Sequence, residues 1–557
     1  MEDADVLVVG AGPTGLMVAG ELARHGVLPM LVDAREGCSV HSKALAVHSR
    51  TLEVFEDVGV AEEALRRGRR MHGVNAYAAG RRIVNVGFDE LDAPHPYVLI
   101  LPQGDTEEIL EARARSLGVE VQRQTKLVAL VQDDEAVTAT LEDQSGARRD
   151  VRARWLVACD GAHSTVRAAL GTPWEGEDID ARFVIADVRV SWELDPDEAR
   201  IFFSTEGVLA FFPLPEEGRW RIVATIASER APDPPTLDFF RGVYLERSHI
   251  PATIDEPTWL STFTIRQRKV ARYRTGRVFL AGDAAHAHSP IGGQGMNTGL
   301  QDAYNLAWKL ALVSRGLAAP PFLDSYHAER EPVATGVLFT TGVQTRVVTL
   351  RHPVAQAIRN HLAPVLTSLE VVQQRAARAT GELDVAYRKS PIVEERRAGP
   401  ASITIGRAPG DERPTLGDAR DFGSGPRAGE RAPDADLGDG RRLHELLWGT
   451  RHVLLAFDGE VASSAGYEGM RAIAGRARAR FGDLLRAVMI VPGERVPPEL
   501  QGEEVVLDRH SVAHRRWGAG AECIYVVRPD GYVGFRSQPP DAERLVAWAD
   551  RWLNPAS

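Results

Sequence analysis

Residues 5–15 read Asp5-Val6-Leu7-Val8-Val9-Gly10-Ala11-Gly12-Pro13-Thr14-Gly15, and residues 16–23 continue with helical spacing. The β-branched run is typical of a buried parallel strand. After such a strand, the first glycine permits a tight turn, the second lets the backbone approach a pyrophosphate, and the third lets helix and strand pack closely. The helix start offers free N–H groups and a positive dipole end to phosphates. A second strand, residues 27–32, ends at Asp33, where a carboxylate can accept hydrogen bonds from an adenosine ribose. This pattern predicts a dinucleotide-binding α/β fold, because a strand, a glycine motif, a helix, a second strand and an acidic residue follow one another in that order.

A second junction between a strand and glycines lies at residues 277–286, Arg277-Val278-Phe279-Leu280-Ala281-Gly282-Asp283-Ala284-Ala285-His286. It continues as His288-Ser289-Pro290-Ile291-Gly292-Gly293-Gln294-Gly295-Met296-Asn297, and residues 298–313 then have the spacing of a helix. Asp283 stands where a strand end can bind a ribityl chain. The glycines let backbone N–H groups at the helix start face an electron-rich ring edge. NAD and FAD share the first motif, and this second one favours FAD.

Three motifs in order make the chain resemble the FAD-dependent aromatic hydroxylases, the single-component group that includes p-hydroxybenzoate, phenol and polyketide hydroxylases. They are GAGPTG at 10–15, CDGAHSTVR at 159–167 and AGDAAHAHSPIGGQGMNTGLQDAYNLAWKLA at 281–311, within a matching stretch of about residues 5–335. The resemblance implies an NAD(P)H-consuming monooxygenase that hydroxylates a phenolic or polyketide-like substrate through a flavin C4a-hydroperoxide. No other GxGxxG follows a strand, so NADPH or NADH is expected to bind only transiently.

The resemblance also implies where FAD is held. Gly10, Gly12 and Gly15 are expected at the pyrophosphate, Asp33 at the ribose, and the backbone of Met296 and Asn297 at the ring edge. Lys43 replaces a family arginine and keeps its charge without the planar fork. The full set of expected cofactor-binding residues is Gly10, Gly12, Pro13, Thr14, Gly15, Asp33, Ala34, Arg35, Lys43, Gln103, Leu127, Asp160, Gly161, Asp283, Pro290, Gly293, Gly295, Met296 and Asn297.

The substrate site is expected under an insertion of alternating strands, about residues 183–270, because in the family this sheet covers the flavin. Strands are predicted over 199–204, 207–214 and 220–226. Period-2 patterning turns about half of their side chains away from any pocket, and the sequence does not fix the phase. The pocket candidates are His48, Phe203, Phe211, Pro213, Arg221 and Pro290. No catalytic base is identified.

The length of 557 residues suggests three or four domains. A discontinuous FAD-binding domain is expected over 1–75, 98–180 and 271–335, interleaved with a substrate-binding β-sheet domain over 76–97 and 181–270. A helical segment over 336–400 precedes a linker and a thioredoxin-like α/β domain over 401–557. That last domain contains no CxxC pair, so thiol redox chemistry is not expected of it.

Composition excludes several other classes. The net charge of −11 and pI near 5.9 argue against nucleic-acid binding, which needs clustered cations. No apolar run is long enough to span a bilayer, which argues against a membrane partner. Three scattered cysteines favour a reducing, cytoplasmic setting. His286 and His288 form an HxH pair, but no further ligands complete it, so no metal is expected. The expected partners are a small aromatic molecule and O₂, and the chain is expected to be a monomer or homodimer.

Two other functions remain open on the sequence. The same scaffold can carry Baeyer–Villiger oxidation or epoxidation of a polycyclic natural product, which product mass and regiochemistry would separate from hydroxylation. A non-catalytic flavin-binding protein is the alternative from another class. The intact segment 281–311 argues against it, because in the family that segment lines the reactive edge of the flavin.

Overall fold

The computed structural model describes residues 2–40, 44–290, 292–348, 370–399, 403–404, 413–459 and 464–553. Backbone packing divides the chain into two compact units. The first consists of Met1–Ala23, Leu28–Tyr304 and Arg330–Leu383, and the second of Arg24–Val27, Asn305–Glu329 and Asp384–Ser557. The mixed α/β fold expected from the sequence is confirmed. The finer division into four parts stays a prediction.

The strands of the first unit form three sheets. In chain order they are β1 (Glu2–Val9), β2 (Met30–Val32), β3 (Ala46–Val47), β4 (Arg69–Met71), β5 (Gly73–Ala78), β6 (Arg81–Gly87), β7 (Val98–Ile100), β8 (Val121–Gln122), β9 (Thr125–Gln132), β10 (Val137–Asp143), β11 (Arg148–Ala158), β12 (Trp174–Ser191), β13 (Glu198–Ser204), β14 (Gly207–Pro213), β15 (Arg219–Ile226), β16 (Thr253–Val270), β17 (Arg274–Thr275), β18 (Val278–Leu280) and β19 (His286–Ala287).

The α-helices among the described residues run through both units. They are α1 (Pro13–Arg24), α2 (Ser49–Val58), α3 (Ala61–Arg67), α4 (Gln103–Ser116), α5 (Thr165–Ala169), α6 (Leu237–Arg247), α7 (Gln294–Ser314), α8 (Asp324–Val348), α9 (Glu370–Thr380), α10 (Leu416–Ser424), α11 (Leu443–Leu447), α12 (Ser464–Phe481), α13 (Val512–Trp517) and α14 (Ala542–Trp552).

The first sheet brings the sequence motifs to one edge. Its strand order is β17-β18-β11-β1-β2-β8, with β10 and β9 continuing from β11, and β18, β11, β1, β2 and β8 run parallel. Parallel strands end at the same edge, and ligands of open α/β sheets bind there. Gly10, Asp33, Cys159 and Ala281 therefore leave this sheet side by side.

The second sheet has the order β19-β16-β12-β15-β14-β13-β5-β6, and it is antiparallel except between β13 and β5. Helix α6 covers one face, where Phe240, Val243 and Tyr244 belong to the same buried cluster as sheet residues. The other face, called here the inner face, carries Phe212, which clusters with Leu45 and Ala46. The small third sheet is β3-β7-β4.

The second unit is built on a six-stranded sheet of order β20-β25-β24-β21-β22-β23. Its strands are β20 (Glu394–Arg396), β21 (His452–Gly459), β22 (Leu485–Pro492), β23 (Val505–Asp508), β24 (Ala521–Val527) and β25 (Val533–Ser537). The sheet is mixed, with β21, β22 and β23 parallel and β24 antiparallel to both of its neighbours. Its likeness to thioredoxin stays a prediction.

Candidate active site

The three glycines after β1 meet different surroundings. At Gly10, with φ of +101°, a Cβ atom would lie 2.4 Å from the Cys159 carbonyl oxygen. At Gly15 a Cβ would lie 1.8 Å from the Gly10 carbonyl oxygen, whereas at Gly12 it would meet nothing within 4 Å. Gly10 and Gly15 are thus required by the protein's own packing. Gly12 leaves open space at the start of α1, beside the half-buried Pro13, where a helix N-terminus attracts phosphate.

Thr14 joins this helix start to the second glycine motif. A Cβ at Gly282 would lie 2.6 Å from Thr14 Oγ1, and one at Gly299 would lie 2.5 Å from the same atom. The threonine side chain therefore fills the gap between α1, the turn after β18 and α7. The two motifs, far apart in sequence, form one surface.

Asp33, at the end of β2, is buried and already engaged by the protein. Its Oδ2 accepts the Ala11 N–H at 2.5 Å, and its Oδ1 accepts the Arg35 N–H at 2.7 Å. The Arg35 guanidinium pairs with Asp33 at 3.2 Å and with Glu107 at 3.3 Å. With Arg35 Nε at 3.2 Å and Arg35 Nη2 at 3.4 Å, the about four acceptor positions of the Asp33 carboxylate are in use, so a ligand hydroxyl here would replace one of these longer Arg35 contacts. The neighbouring Ala34 is exposed.

Glu107 is a member of this group that the sequence analysis missed. It is buried on α4 and accepts hydrogen bonds from Gln103 Nε2 at 2.8 Å and from the Ser39 N–H at 2.7 Å. The signal was present, because Gln103 and Glu107 are four residues apart on one helix. Leu127, on β9, has a buried side chain. Lys43 lies outside the described residues.

Asp160 follows β11 and lies at the carboxyl edge of the first sheet, where Gly10 and Asp33 also lie. Its Oδ2 accepts the Val166 N–H at 3.2 Å, while its buried Oδ1 has no hydrogen-bond partner among the described residues. Burial raises the pKa of this carboxyl. The next residue, Gly161, has φ of +80°, and a Cβ there would meet nothing within 4 Å. A buried carboxylate oxygen without a partner, next in sequence to a glycine with open space around it, fits a site that receives a polar ligand.

The turn after β18 is held from behind by a buried charged group. Asp302, on α7, accepts the Gly282 N–H at 3.1 Å, His286 Nε2 at 2.6 Å and Arg330 Nε at 2.7 Å. Burial raises the pKa of Asp302, but Arg330 and His286 outweigh it and hold that pKa below its usual value. Asp283 itself is exposed at the turn. Asp302 and Arg330 were not anticipated from the sequence.

The loop before α7 closes on the segment that contains β3. Asn297 is fully buried, and its Nδ2 donates to the carbonyl oxygens of Ala46 at 2.9 Å and Gly293 at 2.8 Å. Its Oδ1 accepts the His48 N–H at 2.9 Å. His48 Nε2 lies 3.2 Å from the Gly293 oxygen, and burial lowers the pKa of this imidazole to about 4. His48 is therefore neutral near pH 7.

The other predicted residues of this loop lie around the same point. Met296 is buried, and Pro290 and Gly295 are half-buried. A Cβ at Gly293 would lie 2.9 Å from the Ala46 Cβ, so only glycine fits there at its φ of +65°. His286 and His288 stack with ring centroids 6.1 Å apart. Within the described ranges, no group of three or more potential ligands could hold a metal ion.

Strand register separates the pocket candidates of the second sheet. Phe212 pairs with Arg221, and Arg221 pairs with Asp187, so all three lie on the inner face. Phe203 also points to this face, because Phe203 pairs with Val208, and Val208 is four residues before Phe212 on β14. Phe211 and Pro213 point the opposite way.

Phe211 is fully buried and clusters with Phe202, Trp220 and Tyr244 under α6. That packing places Phe211 in the core behind the sheet, and Pro213 shares its face. The sequence could not make this distinction because the phase of the alternation was open.

The inner face combines aromatic rings with one buried ion pair. Phe183, Trp259 and Phe263 share this face with the residues above, through the register of β12 and β16. Arg221 Nε and Nη2 donate to the two Asp187 oxygens at 2.7 Å and 2.8 Å, and the guanidinium lies 5.1 Å from the Trp259 ring centre. Asp187 and Trp259 are further residues that the sequence analysis did not single out.

The site described here fits one cofactor. Gly12, the start of α1, Asp33 and Asp160 suit the phosphates and hydroxyls of a dinucleotide, and the Asn297 loop suits a flat polar ring. Residues 3–341 match the family model described as an FAD binding domain. The chain belongs to the FAD-dependent aromatic hydroxylases.

The similarity of this chain to known proteins extends over almost its whole length. The chain is 34% identical to 6-methylpretetramide 4-monooxygenase of Streptomyces rimosus over 97% of this chain and 92% of that protein. It is 32% identical to pentachlorophenol 4-monooxygenase of Sphingobium chlorophenolicum over 99% and 97%. The solved structure of the OxyS anhydrotetracycline hydroxylase from Streptomyces rimosus superposes with a TM-score of 0.74, at 31% identity, covering 100% of both chains. The protein is an FAD-dependent monooxygenase.

Proposed function

We propose that this hydroxylase uses NADPH or NADH, FAD and O₂ to hydroxylate a phenolic or polyketide-like aromatic substrate. The observation that carries the proposal is the inner face of the second sheet, where Phe203, Phe212 and Trp259 lie on the same face as the Arg221–Asp187 pair. Aromatic walls with a few placed polar groups are typical of sites for flat ring systems. The inner face also packs on Leu45 and Ala46, next to the Asn297 loop.

When bound, FAD would supply the redox centre that couples the oxidation of NAD(P)H to the activation of O₂. The residues of this chain supply binding and exclusion of water. Gly12 and the start of α1 take the pyrophosphate, Asp33 and Arg35 the ribose side, and Asp160 and Asp283 the polar chain of the cofactor. The backbone at Met296 and Asn297 donates to the ring edge, where a helix N-terminus favours negative charge.

The proposed substrate pocket keeps four of the sequence candidates. Phe203 and Arg221 would line the pocket from the inner face of the second sheet. Pro290 would lie at the edge of the flavin ring, and His48 would lie on the far side of the loop before α7. Since His48 is neutral and fully enclosed, we assign it a structural hydrogen bond to Gly293 and no proton transfer to substrate. Phe211 and Pro213 are left out because they point toward α6.

The relatives guide the choice of substrates for a test. Their names identify a pretetramide, an anhydrotetracycline and a chlorinated phenol as the compounds on which those proteins act. The purified holoprotein is supplied with NADPH or NADH and a panel of phenols and linear polycyclic polyphenols. We expect at least one of them to accelerate NAD(P)H oxidation and to gain one oxygen atom. Insertion next to a ketone, or an epoxide product, would favour the Baeyer–Villiger or epoxidation alternatives, and the absence of any stimulation would contradict turnover.

Four further expectations remain predictions. They are the cytoplasmic location, the absence of nucleic-acid binding, the monomeric or homodimeric state, and the thioredoxin-like character of the second unit. In the ranges that the structure describes, no helix has both the length and the apolarity to cross a membrane. Light scattering of the purified holoprotein measures the oligomeric state directly.

A further inference from the structure

Glu382 is a buried acid in an unusual backbone conformation, and the function proposed above does not use it. It comes two residues after α9, has φ of +56° and is 6% exposed. The turn is fixed by hydrogen bonds from the Gly381 N–H to the Ala377 oxygen at 2.8 Å and from the Leu383 N–H to the Arg378 oxygen at 3.1 Å. Left-handed backbone favours glycine, and a buried carboxyl group loses its hydration. Both features destabilise the fold at one residue, so Glu382 is a candidate for a role beyond packing.

The carboxyl group has few partners. Its Oε2 accepts a hydrogen bond from Gln301 Nε2, and its Oε1 has no partner among the described residues. The charged groups that face it are Asp302 from α7 and Arg330 from α8, which bind each other at 2.7 Å. From the α2 side, Arg50 is paired with Glu53 at 2.8 Å. Burial raises the pKa of Glu382 to about 8, so the group is neutral near pH 7.

A closed chain of contacts links Glu382 to Ala46, His48, Gly293 and Asn297, the residues proposed to lie at the flavin ring and called here the flavin cradle. The Gly381 carbonyl accepts the Arg50 N–H at 3.1 Å, in the first turn of α2. His48, which precedes α2, donates its N–H to Asn297 Oδ1 at 2.9 Å. Asn297 and Gln301 are one turn apart on α7 and lie on the same side of the helix. Gln301 then returns to Glu382. The α9 turn and the start of α7 thus hold the residues around His48 between them.

We propose that Glu382 is a positioning residue that, as the neutral acid, holds the His48–Asn297 side of the flavin cradle through Gln301 and the Gly381 carbonyl. An ionised Glu382 would lie unsolvated beside the Asp302–Arg330 pair, with the Gln301 amide as its hydrogen-bond donor, and the loss of hydration outweighs the attraction of Arg330. Its departure toward solvent would carry Gly381 away from Arg50 and release the start of α2. FAD would then be held less tightly in alkaline solution.

The inference rests on FAD binding and on the proposed cradle, and it is independent of the substrate. The experiment measures the dissociation constant of FAD from the holoprotein between pH 7 and pH 9, by the fluorescence of the released flavin. One pH unit above a pKa of about 8, roughly one molecule in eleven keeps the neutral acid, so we expect about tenfold weaker binding at pH 9 than at pH 7. A wild-type affinity that does not change over this range would overturn the proposal.

Two variants separate the acid from the backbone. Glu382→Gln keeps the shape and cannot ionise, so we expect FAD affinity near the wild-type value at pH 7 and less than a twofold loss at pH 9. Glu382→Gly removes the contact with Gln301 and suits the positive φ. We expect it to bind FAD several-fold more weakly than the wild type at pH 7, with no further alkaline loss. The same tenfold loss in either variant as in the wild type would overturn the proposal.

Glu56→Gln is the matched control. Glu56 lies on α2, the helix that Gly381 contacts, and it binds His95 at 2.9 Å rather than Gln301. This variant should keep the full alkaline loss of affinity, and a flattened profile there would contradict the assignment to Glu382. The measurement at pH 7 also separates this inference from the proposed function: failure to bind FAD at all would contradict the cradle, whereas tight binding that ignores pH contradicts the role of Glu382 alone.

Discussion

Gly12 and Gly15 are separated by only two residues, yet their environments predict opposite consequences for the same added methyl group. A Cβ at Gly15 collides with the Gly10 carbonyl oxygen at 1.8 Å, and a Cβ at Gly12 meets no protein atom within 4 Å. The fold therefore needs Gly15, whereas at Gly12 the protein itself leaves room, and we expect the ligand to use it. The motif alone already assigned Gly15 to helix–strand packing and Gly12 to the approach of a pyrophosphate, and the distances to an added Cβ agree with that division.

Gly15→Ala should destabilise the protein without FAD by about 1–3 kcal/mol or more, because overpacking displaces α1 from β1. Gly12→Ala should leave the melting temperature of the FAD-free protein within about 2 °C of wild type, and it should weaken FAD binding at least tenfold. Calorimetry and flavin fluorescence measure the two effects. Equal thermal destabilisation by both substitutions would contradict an open ligand space at Gly12.

Helices and strands were predicted best where apolar periodicity is strong. The helix predicted over 298–313 is observed as Gln294–Ser314, and the strands predicted over 199–204 and 207–214 are observed as Glu198–Ser204 and Gly207–Pro213. The helix Leu416–Ser424 was missed inside a stretch interpreted as linker, although Thr415 and Asp418 form a capping box that marks its start. Glycine and proline dominated the interpretation of that stretch, and the cap signal was overlooked.

The two faces of the second sheet predict opposite effects for two phenylalanines. Phe211→Ala removes a fully buried ring under α6 and should cost about 3–5 kcal/mol of stability. Phe203→Ala, on the inner face, should cost less stability and should raise the KM for the aromatic substrate about tenfold. Thermal melting and steady-state kinetics check the pair. A raised KM for Phe211→Ala with unchanged melting would contradict the register that separates them.

Strand β21 carries a buried histidine, His452, because of which we expect the folded protein to lose stability in acid. His452 lies between Trp308 and Trp548, with ring centroids 5.5 Å and 6.4 Å away, and burial lowers its pKa to about 4. Between pH 6.5 and 4 the unfolded chain binds a proton that the folded chain does not, so stability falls as the pH falls.

His452→Phe removes this contribution. The free energy of unfolding of the variant relative to wild type should rise by about 1.4 kcal/mol for each unit by which the pH falls from 6.5 to 4. Urea titrations at several pH values give the difference. A difference that stays constant across this range would show that His452 is protonated in the folded protein.

On the scale of the whole molecule, the second unit contains a buried ionic network that the sequence analysis did not predict. Glu329 accepts hydrogen bonds from Lys309 Nζ at 2.6 Å, Arg528 Nη1 at 2.6 Å, Asn305 Nδ2 at 2.7 Å and Ser390 Oγ at 2.6 Å. Burial raises the pKa of Glu329, but Arg528 and Lys309 outweigh it and hold that pKa well below its usual range. The network joins residues 305–329 to the C-terminal sheet, which accounts for the discontinuous composition of the unit.

Glu329→Gln leaves two buried cations without their shared carboxylate and should cost about 3–5 kcal/mol. Asp550→Asn, which breaks the exposed pair with Arg480, is the control and should change stability by less than about 1 kcal/mol. Thermal melting of the two variants provides the comparison. Similar melting temperatures for both would mean that the network is not needed to join these segments.

More of the cofactor site than of the substrate site could be predicted from the sequence. Gly12, Asp33 and Asn297 stand in or next to contiguous motifs, so their expected roles could be stated from the sequence alone. Asp302, Arg330 and Asp187 act through partners 16 to 34 residues away, and only the tertiary fold reveals such pairs. The inner face likewise depends on strand register, which single-sequence alternation leaves open by one residue.

The central claim is that this chain transfers one oxygen atom from O₂ to an aromatic ring. The most direct test is the mass of the product formed by the holoprotein with NADPH, a phenolic or polycyclic substrate and ¹⁸O-labelled O₂. The account predicts one labelled oxygen atom per product molecule, bonded to a ring carbon. A product that has only lost hydrogen, or whose new oxygen comes from water, would contradict it.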